Sequence, residues 1–149
     1  MRIIIVRSLT RNQVVREIQY FEKYHSTPED ALRAGRISGE EFERWRSLAH
    51  ALQAYEEGEG MEVAVEEVFP SIRSLRKVLT EKRMRLLEQI DLGVSSITEL
   101  ARKVGPRDIK NVYDDLQMLR RIGFIALERE ENRVTPRLLL STIRIDFRL

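Results

Sequence analysis

In the stretch Arg107-Asp108-Ile109-Lys110-Asn111-Val112-Tyr113-Asp114, four polar residues could do chemistry together: Arg107, Lys110, Asn111 and Asp114. With Ile109, Val112, Leu116 and Leu119 buried on one side of a helix, a 100° step per residue turns these four outward on its first turns. Their chemistry is that of a reader of base edges. Arg and Lys donate to guanine O6 and N7, and Asn bonds adenine through both its amide groups. Any exposed helix carries such residues, so the surrounding elements must decide.

Those elements are well marked. Thr80 can cap a helix that turns Met84, Leu86, Leu87 and Ile90 inward and ends near Gly93. Ser96-Ile97-Thr98-Glu99 has capping-box spacing and opens a helix with Leu100, Ala101 and Val104 apolar, stopped by Gly105-Pro106. The helix of the four polar residues follows over 106–122, starting at Pro106 or with Asp108 as its cap, and Gly123 ends it. Phe124 to Glu128 alternates as a strand, Arg129 to Asn132 is a polar turn, and Arg133-Val134-Thr135 is the returning strand. Helix, link, helix, tight turn, helix and hairpin is the order of a winged helix-turn-helix, with 125–135 as its wing. The turn places Arg129, Asn132 and Arg133 where a wing meets phosphates or the minor groove. Ser95, Ser96 and Thr98, with Lys82 and Arg83, lie at helix starts suited to backbone contacts. Asp114, Asp115, Glu130 and Glu131 repel phosphate and predict modest non-specific affinity.

From about Phe69 to Gly123 the chain resembles a prokaryotic group of small winged-helix predicted transcriptional regulators, similar to MarR-type and antitoxin-type DNA-binding proteins. The residues that carry the resemblance are Leu79-Thr80-Glu81-Lys82-Arg83 with Leu86-Leu87, then Thr98-Glu99-Leu100-Ala101 and Arg107-Asp108-Ile109-Lys110-Asn111-Val112. Leu119 and Ile122-Gly123-Phe124-Ile125 complete it. The resemblance implies sequence-specific binding of double-stranded DNA and transcription regulation. It also keeps open an antitoxin role, in which the N-terminal half binds a protein partner. Asp114 stands where that group often has a basic residue, and Pro106 lengthens the turn before the third helix.

The first half reads differently. Arg2 to Arg7 is a β-branched run expected as a strand buried on both faces. Thr10-Arg11-Asn12-Gln13 has capping-box spacing, with Val14, Ile18 and Phe21 following at helical intervals to about Tyr24. Thr27-Pro28-Glu29-Asp30 opens a short helix stopped by Gly35. Ser38 to Glu41 is another capping box, ahead of a stripe of Phe42, Trp45, Leu48, Ala49, Leu52 and Tyr55 running to about Glu57. Glu56 to Gly60 reads as a turn or linker. Val63, Val65 and Val68 fit both a strand and a helical turn, and the periods do not separate them. At the other end, Ile143, Ile145 and Phe147 alternate with Arg144, Asp146 and Arg148 as a strand with one buried face. An unpaired strand invites aggregation, so the two terminal strands are expected to pair, within a subunit or across a dimer. Leu138, Leu139 and Leu140 are too apolar for a free linker.

The chain has 149 residues, 42% hydrophobic and 34% charged, enough for one compact domain or two small ones. The expected class is mainly α (α+β). It comprises an α-rich extension over 1–70 and a winged helix-turn-helix domain over 71–149, with terminal β-strands. Cysteine is absent and His25 and His50 are the only histidines, which excludes disulfides and thiolate metal sites. No apolar run approaches the roughly 20 residues that span a bilayer, and Met1 to Val6 is too short for a signal core, so a cytoplasmic protein without membrane contact is expected. Residues 1–75 hold 10 Lys/Arg against 13 Asp/Glu, net −3, and 76–149 hold 16 against 11, net +5, which makes the second half the partner for a polyanion. Acidic pairs such as Glu40/Glu41 and Glu66/Glu67 are adjacent in sequence and read as solvated charge. No phosphate loop, nucleophile elbow or metal-ligand spacing is present, so no catalytic residue, metal or cofactor is expected. A lone winged helix covers little DNA, so a homodimer is expected from economy of affinity.

Overall fold

The structure is a computed structural model that describes residues 1–55, 62–105 and 109–148. It is of the α+β class and divides into two compact units, Met1–Ser71 with Ser141–Leu149, and Ile72–Leu140. The division after residue 71 falls beside the expected 70/71 boundary. The carboxy-terminal residues differ: 141–149, expected with the second half, belong to the first unit. Hydrogen bonding of the last strand to the first is the reason.

In the first unit, strand β1 (Arg2–Thr10) leads through helices α1 (Arg11–Tyr24), α2 (Pro28–Arg33) and α3 (Gly39–Ala54) to strand β2 (Glu62–Phe69). β2 pairs antiparallel with β1, with Ile3 opposite Phe69 and Thr10 opposite Glu62. Strand β5 (Leu140–Asp146) occupies the other side of β1, giving the order β2-β1-β5, and the Ser141 hydroxyl donates to the Val6 carbonyl at 3.0 Å. The terminal strands therefore pair within one chain. The ambiguous valines form a strand, with Val65 fully packed and Glu66 turned to solvent. Thr10 and Ser38 form reciprocal capping boxes with Gln13 and Glu41, and Thr27 caps α2 ahead of Pro28. Gly35, at φ 70°, lets the chain leave α2 through bonds from Gly35 N–H to Leu32 and from Arg36 N–H to Ala31, geometry that a side chain at that φ would strain. The core runs through Ile3, Ile5 and Leu9 of β1 to Val14, Ile18 and Phe21 of α1 and Trp45 and Leu48 of α3. Phe21 and Trp45 stack with centroids 5.1 Å apart.

Arg7 is the exception in this core. It is wholly buried, its Nε donates to Glu67 Oε1 at 2.7 Å and its Nη1 to Glu17 Oε1 at 2.7 Å. Arg44 on α3 reaches the other oxygen of Glu67 at 3.3 Å. Burial pulls the Arg7 pKa down, but the carboxylates of Glu67 and Glu17 outweigh it and the net direction is upward. Glu66/Glu67 is thus not a pair of solvated charges. It lies on a strand, whose period of two sends Glu66 to solvent and Glu67 into the core.

In the second unit, helices α4 (Ile72–Val78), α5 (Glu81–Leu92), α6 (Ile97–Val104) and α7 (Ile109–Arg121) precede a hairpin of β3 (Ile125–Glu130) and β4 (Arg133–Leu138). The core joins Leu86, Leu87 and Ile90 to Ile97 and Leu100, to Val112, Leu116 and Leu119, and to Phe124, Ile125 and Leu139. Met84, expected inward, is 40% exposed, because Arg83 takes the position beside α7. The helix α7 ends in a Schellman turn: Gly123 at φ 85° bonds Arg120, and the Phe124 N–H bonds Leu119, which drives Phe124 into the core. Leu139 is buried, its N–H bonded to the Phe124 carbonyl. Among the described residues, no helix is long and apolar enough to cross a membrane.

Replacing Arg7 by Ala should destabilise the first unit by about 3 kcal/mol, since it takes the partner from Glu17 and leaves the nearly buried Glu67 with Arg44 alone. Glu66→Ala, one residue from Glu67 but solvent-facing, should change stability by less than about 0.5 kcal/mol. Trp45 is the single tryptophan and lies in the first unit, so its emission during urea unfolding reads this unit selectively. Equal losses in the two variants would contradict the assignment.

Candidate nucleic-acid interface

The helix α7 buries Val112, Leu116 and Leu119, and the opposite crest carries Lys110, Asp114, Gln117 and Arg121, all exposed. Lys110 and Asp114 thus stand on the outward face. Asn111 is exposed too, but it lies on the flank turned toward α5, where it lines a cavity of about 200 Å³ with Lys82, Arg85, Gly105 and Asp115. Arg107 lies outside the described residues, as do Pro106 and Asp108. Ile109, expected in the core, is 54% exposed, and Tyr113, one turn further on, is 46% exposed. In the first turn of a helix the three-four repeat does not by itself bring an overlying element, so the apolar pattern overran the core there. Tyr113 and Gln117 are further crest or flank residues, outside the expected set of Arg107, Lys110, Asn111 and Asp114. The same 100° step would have found them, as neighbours of Ile109 and Lys110.

Several candidate phosphate ligands are engaged within the fold. The Arg83 Nε donates to Asp115 at 3.0 Å, and its Nη1 to the Lys77 and Val78 carbonyls at 2.8 and 3.1 Å, so it closes the end of α4 onto α5 and α7. This also withdraws Asp115 from the outward face, where it was expected to repel phosphate. Ser96 caps α6 by accepting from the Glu99 N–H at 3.1 Å, but the box is displaced by one residue. The Glu99 carboxylate reaches back to the N–H and hydroxyl of Ser95 rather than of Ser96. These bonds, the Ser95 hydroxyl's first, with Lys103 adding its own, hold the Glu99 carboxyl at about 2, well below its ordinary 4.5. The Ser95 carbonyl in turn accepts from the buried Thr135 hydroxyl at 2.9 Å, which pins β4 to the link between α5 and α6. Thr98 and Lys82 remain exposed.

The hairpin pairs Glu130 with Arg133 and turns through Glu131 and Asn132, Glu131 having a left-handed φ of 51°. Arg129 therefore belongs to β3, not to the turn, and Arg129, Asn132 and Arg133 are all exposed near the tip. Glu130 and Glu131 balance the two arginines there. Further back, Arg137 pairs with Glu128 at 3.1 Å. The second unit as a whole, residues 72–140, holds 15 Lys/Arg against 10 Asp/Glu, net +5, and the rest of the chain 11 against 14, net −3. Among the described residues no group of three His, Cys, Asp or Glu could hold a metal ion.

Residues 78–145, less than half of the chain, match the protein family HVO_A0114, a label that states no activity. The match runs from the end of α4 into β5. No curated protein and no solved structure matches the chain.

Two outcomes follow from this geometry. Arg83→Ala should destabilise the second unit by about 1.5 to 3 kcal/mol through the loss of charge-assisted bonds, read as a lower far-ultraviolet melting transition. An unchanged melt would return Arg83 to the set of free surface cations. Glu99 should titrate with a carboxyl-carbon midpoint near 2, and Ser95→Ala should raise it. Because folding lowers this pKa, its stabilisation is complete above about pH 4.5 and is lost as the pH falls toward 2. A midpoint that does not move in the Ser95 variant would contradict the assignment.

Proposed function

We propose that the chain is a sequence-specific, double-stranded DNA-binding transcriptional regulator. In this reading its second unit is a winged helix-turn-helix, with α7 as the recognition helix in the major groove and the β3-β4 hairpin as the wing. The observation that carries the reading is the exposed crest and flank of α7. Lys110 and Asn111 stand there on the first turns, on a helix whose other side is locked into the core of a unit with net charge +5. The first turns of a recognition helix are the part that reaches base edges, and Lys and Asn match guanine and adenine there. Thr98 and Lys82, exposed at helix starts, suit phosphates, and Arg129 and Arg133 suit phosphates or the minor groove. The role assigned to Arg83 and Ser96 is structural support for these contacts. Asp114 on the crest favours a cytosine amino group over a phosphate.

A second reading, a protein-interaction module or antitoxin, is favoured by a different observation. Charge is balanced at the hairpin tip, and Ile109 and Tyr113 lie exposed along one flank of α7. A face that is apolar and neutral suits a protein better than a phosphate chain.

Titration with random and genomic duplexes at several salt concentrations separates the two. DNA binding predicts a log-log salt slope of about −0.9 per phosphate contact, and loss of Arg129 or Arg133 should flatten it by about one unit for every sequence. Lys110→Ala and Asn111→Ala should each cost about 1 to 3 kcal/mol on a specific site and less on random DNA. Binding without salt dependence, or unchanged in all four variants, would favour the second reading.

A further inference from the structure

The sheet of the first unit has two outer strands, β2 and β5, and they differ in what they offer a neighbour. An outer strand presents alternate N–H and C=O groups that template a further strand unless its side chains forbid it. β2 exposes Glu62 and Glu66 and carries no basic residue, so a second β2 alongside it would meet carboxylates with carboxylates. β5 carries one base and one acid, Arg144 and Asp146, on either side of Ile145, with Phe147 and Arg148 following. Ile145 is 37% exposed and Phe147 is 73% exposed, a large apolar area for residues that alternate as one buried face of a strand.

We propose that the chain self-associates through β5, paired antiparallel with β5 of a second copy about a two-fold axis at Ile145. The occupant is fixed by charge complementarity. In that register Arg144 lies opposite Asp146 of the second copy, and the symmetry repeats the pair. Ile145 faces its own counterpart, and Ile143 comes abreast of Phe147, which lies just past the end of β5. An axis at Arg144 or at Asp146 would instead oppose like charges. Within each chain Arg144 Nε and Asp146 Oδ2 bond each other along the strand at 3.2 Å, and association exchanges these two intrachain pairs for two across the axis. The two three-stranded sheets become one sheet of six, with the acidic β2 strands as its outer edges. This interface lies in the first unit, so it stands or falls independently of what the second unit binds.

The chain contains no cysteine, which makes cross-linking a clean test. Ile145→Cys should give a disulfide-linked dimer on mild oxidation, because directly opposed residues of antiparallel strands lie within disulfide reach. Thr142→Cys should not, since its counterpart would be roughly 20 Å away along the strands. In sedimentation equilibrium, Arg144→Asp should weaken the dimer about tenfold or more, and the combination with Asp146→Arg should restore it. Trp45 emission establishes that each variant is folded. A monomeric wild-type chain at high concentration, cross-linking equal at both cysteine positions, or a dimer indifferent to Arg144→Asp would overturn the proposal.

Discussion

Arg7 places a full positive charge in the middle of the central strand, and the first unit is arranged around that demand. A buried guanidinium is tolerable only with its charge matched and its donors engaged. Glu67 comes from β2, Glu17 from α1, and Arg44 of α3 shares Glu67, so the network joins both covering helices to the sheet. It also fixes register. Arg7 lies opposite Val65 and Ile5 opposite Glu67, so the ion pair is a diagonal contact on the helix-covered face. A slip of one residue would send Glu67 to solvent and leave Arg7 without its main counter-charge. Apolar packing alone would hold a sheet here, but it would specify this sheet less sharply.

With β1 held in place, the rest of the chain divides its labour. The first unit is acidic in net charge and keeps its buried charge, Arg7, paired. The second is basic, and its own part-buried polar contacts, Arg83 with Asp115 and Thr135 with Ser95, stiffen the frame on which α7 and the hairpin stand. Residues that bind a surface gain from such support, since a loosely held helix loses affinity to the entropy of ordering it. In the proposed reading, the polar residues that look like ligands in sequence split into those that touch the partner and those that hold the former in place.

The order of elements was legible because it is written in local signals. Thr10, Thr27, Ser38, Thr80 and Ser96 each cap the helix they were expected to open, and Gly35 and Gly123 each close one. The pairing of the chain ends was legible from edge chemistry, since neither terminal run could stay single. Three things were hidden. Arg7 reads in sequence as the polar end of an apolar run, because partners 10 and 60 residues away leave no local trace. Arg83, not Met84, takes the inner position, because a charged residue with a part-buried partner in Asp115 can outcompete methionine for it. Ile109 repeats at core spacing yet lies in the open, because periodicity describes a helix and not what covers it. Of the expected reading residues, Lys110 and Asp114 came out on the crest, Asn111 on a flank, and Arg107 lies outside the described residues.

The central claim is that α7 and the hairpin form the nucleic-acid face. Backbone hydrogen exchange of the full chain, with and without saturating duplex DNA, tests it most directly, because it locates contact without altering a residue. The account predicts slowed exchange in the first turns of α7 and at the tip of the hairpin, with β1, α1 and α3 unchanged. Protection confined to the first unit, or none in a sample whose DNA is bound, would contradict it.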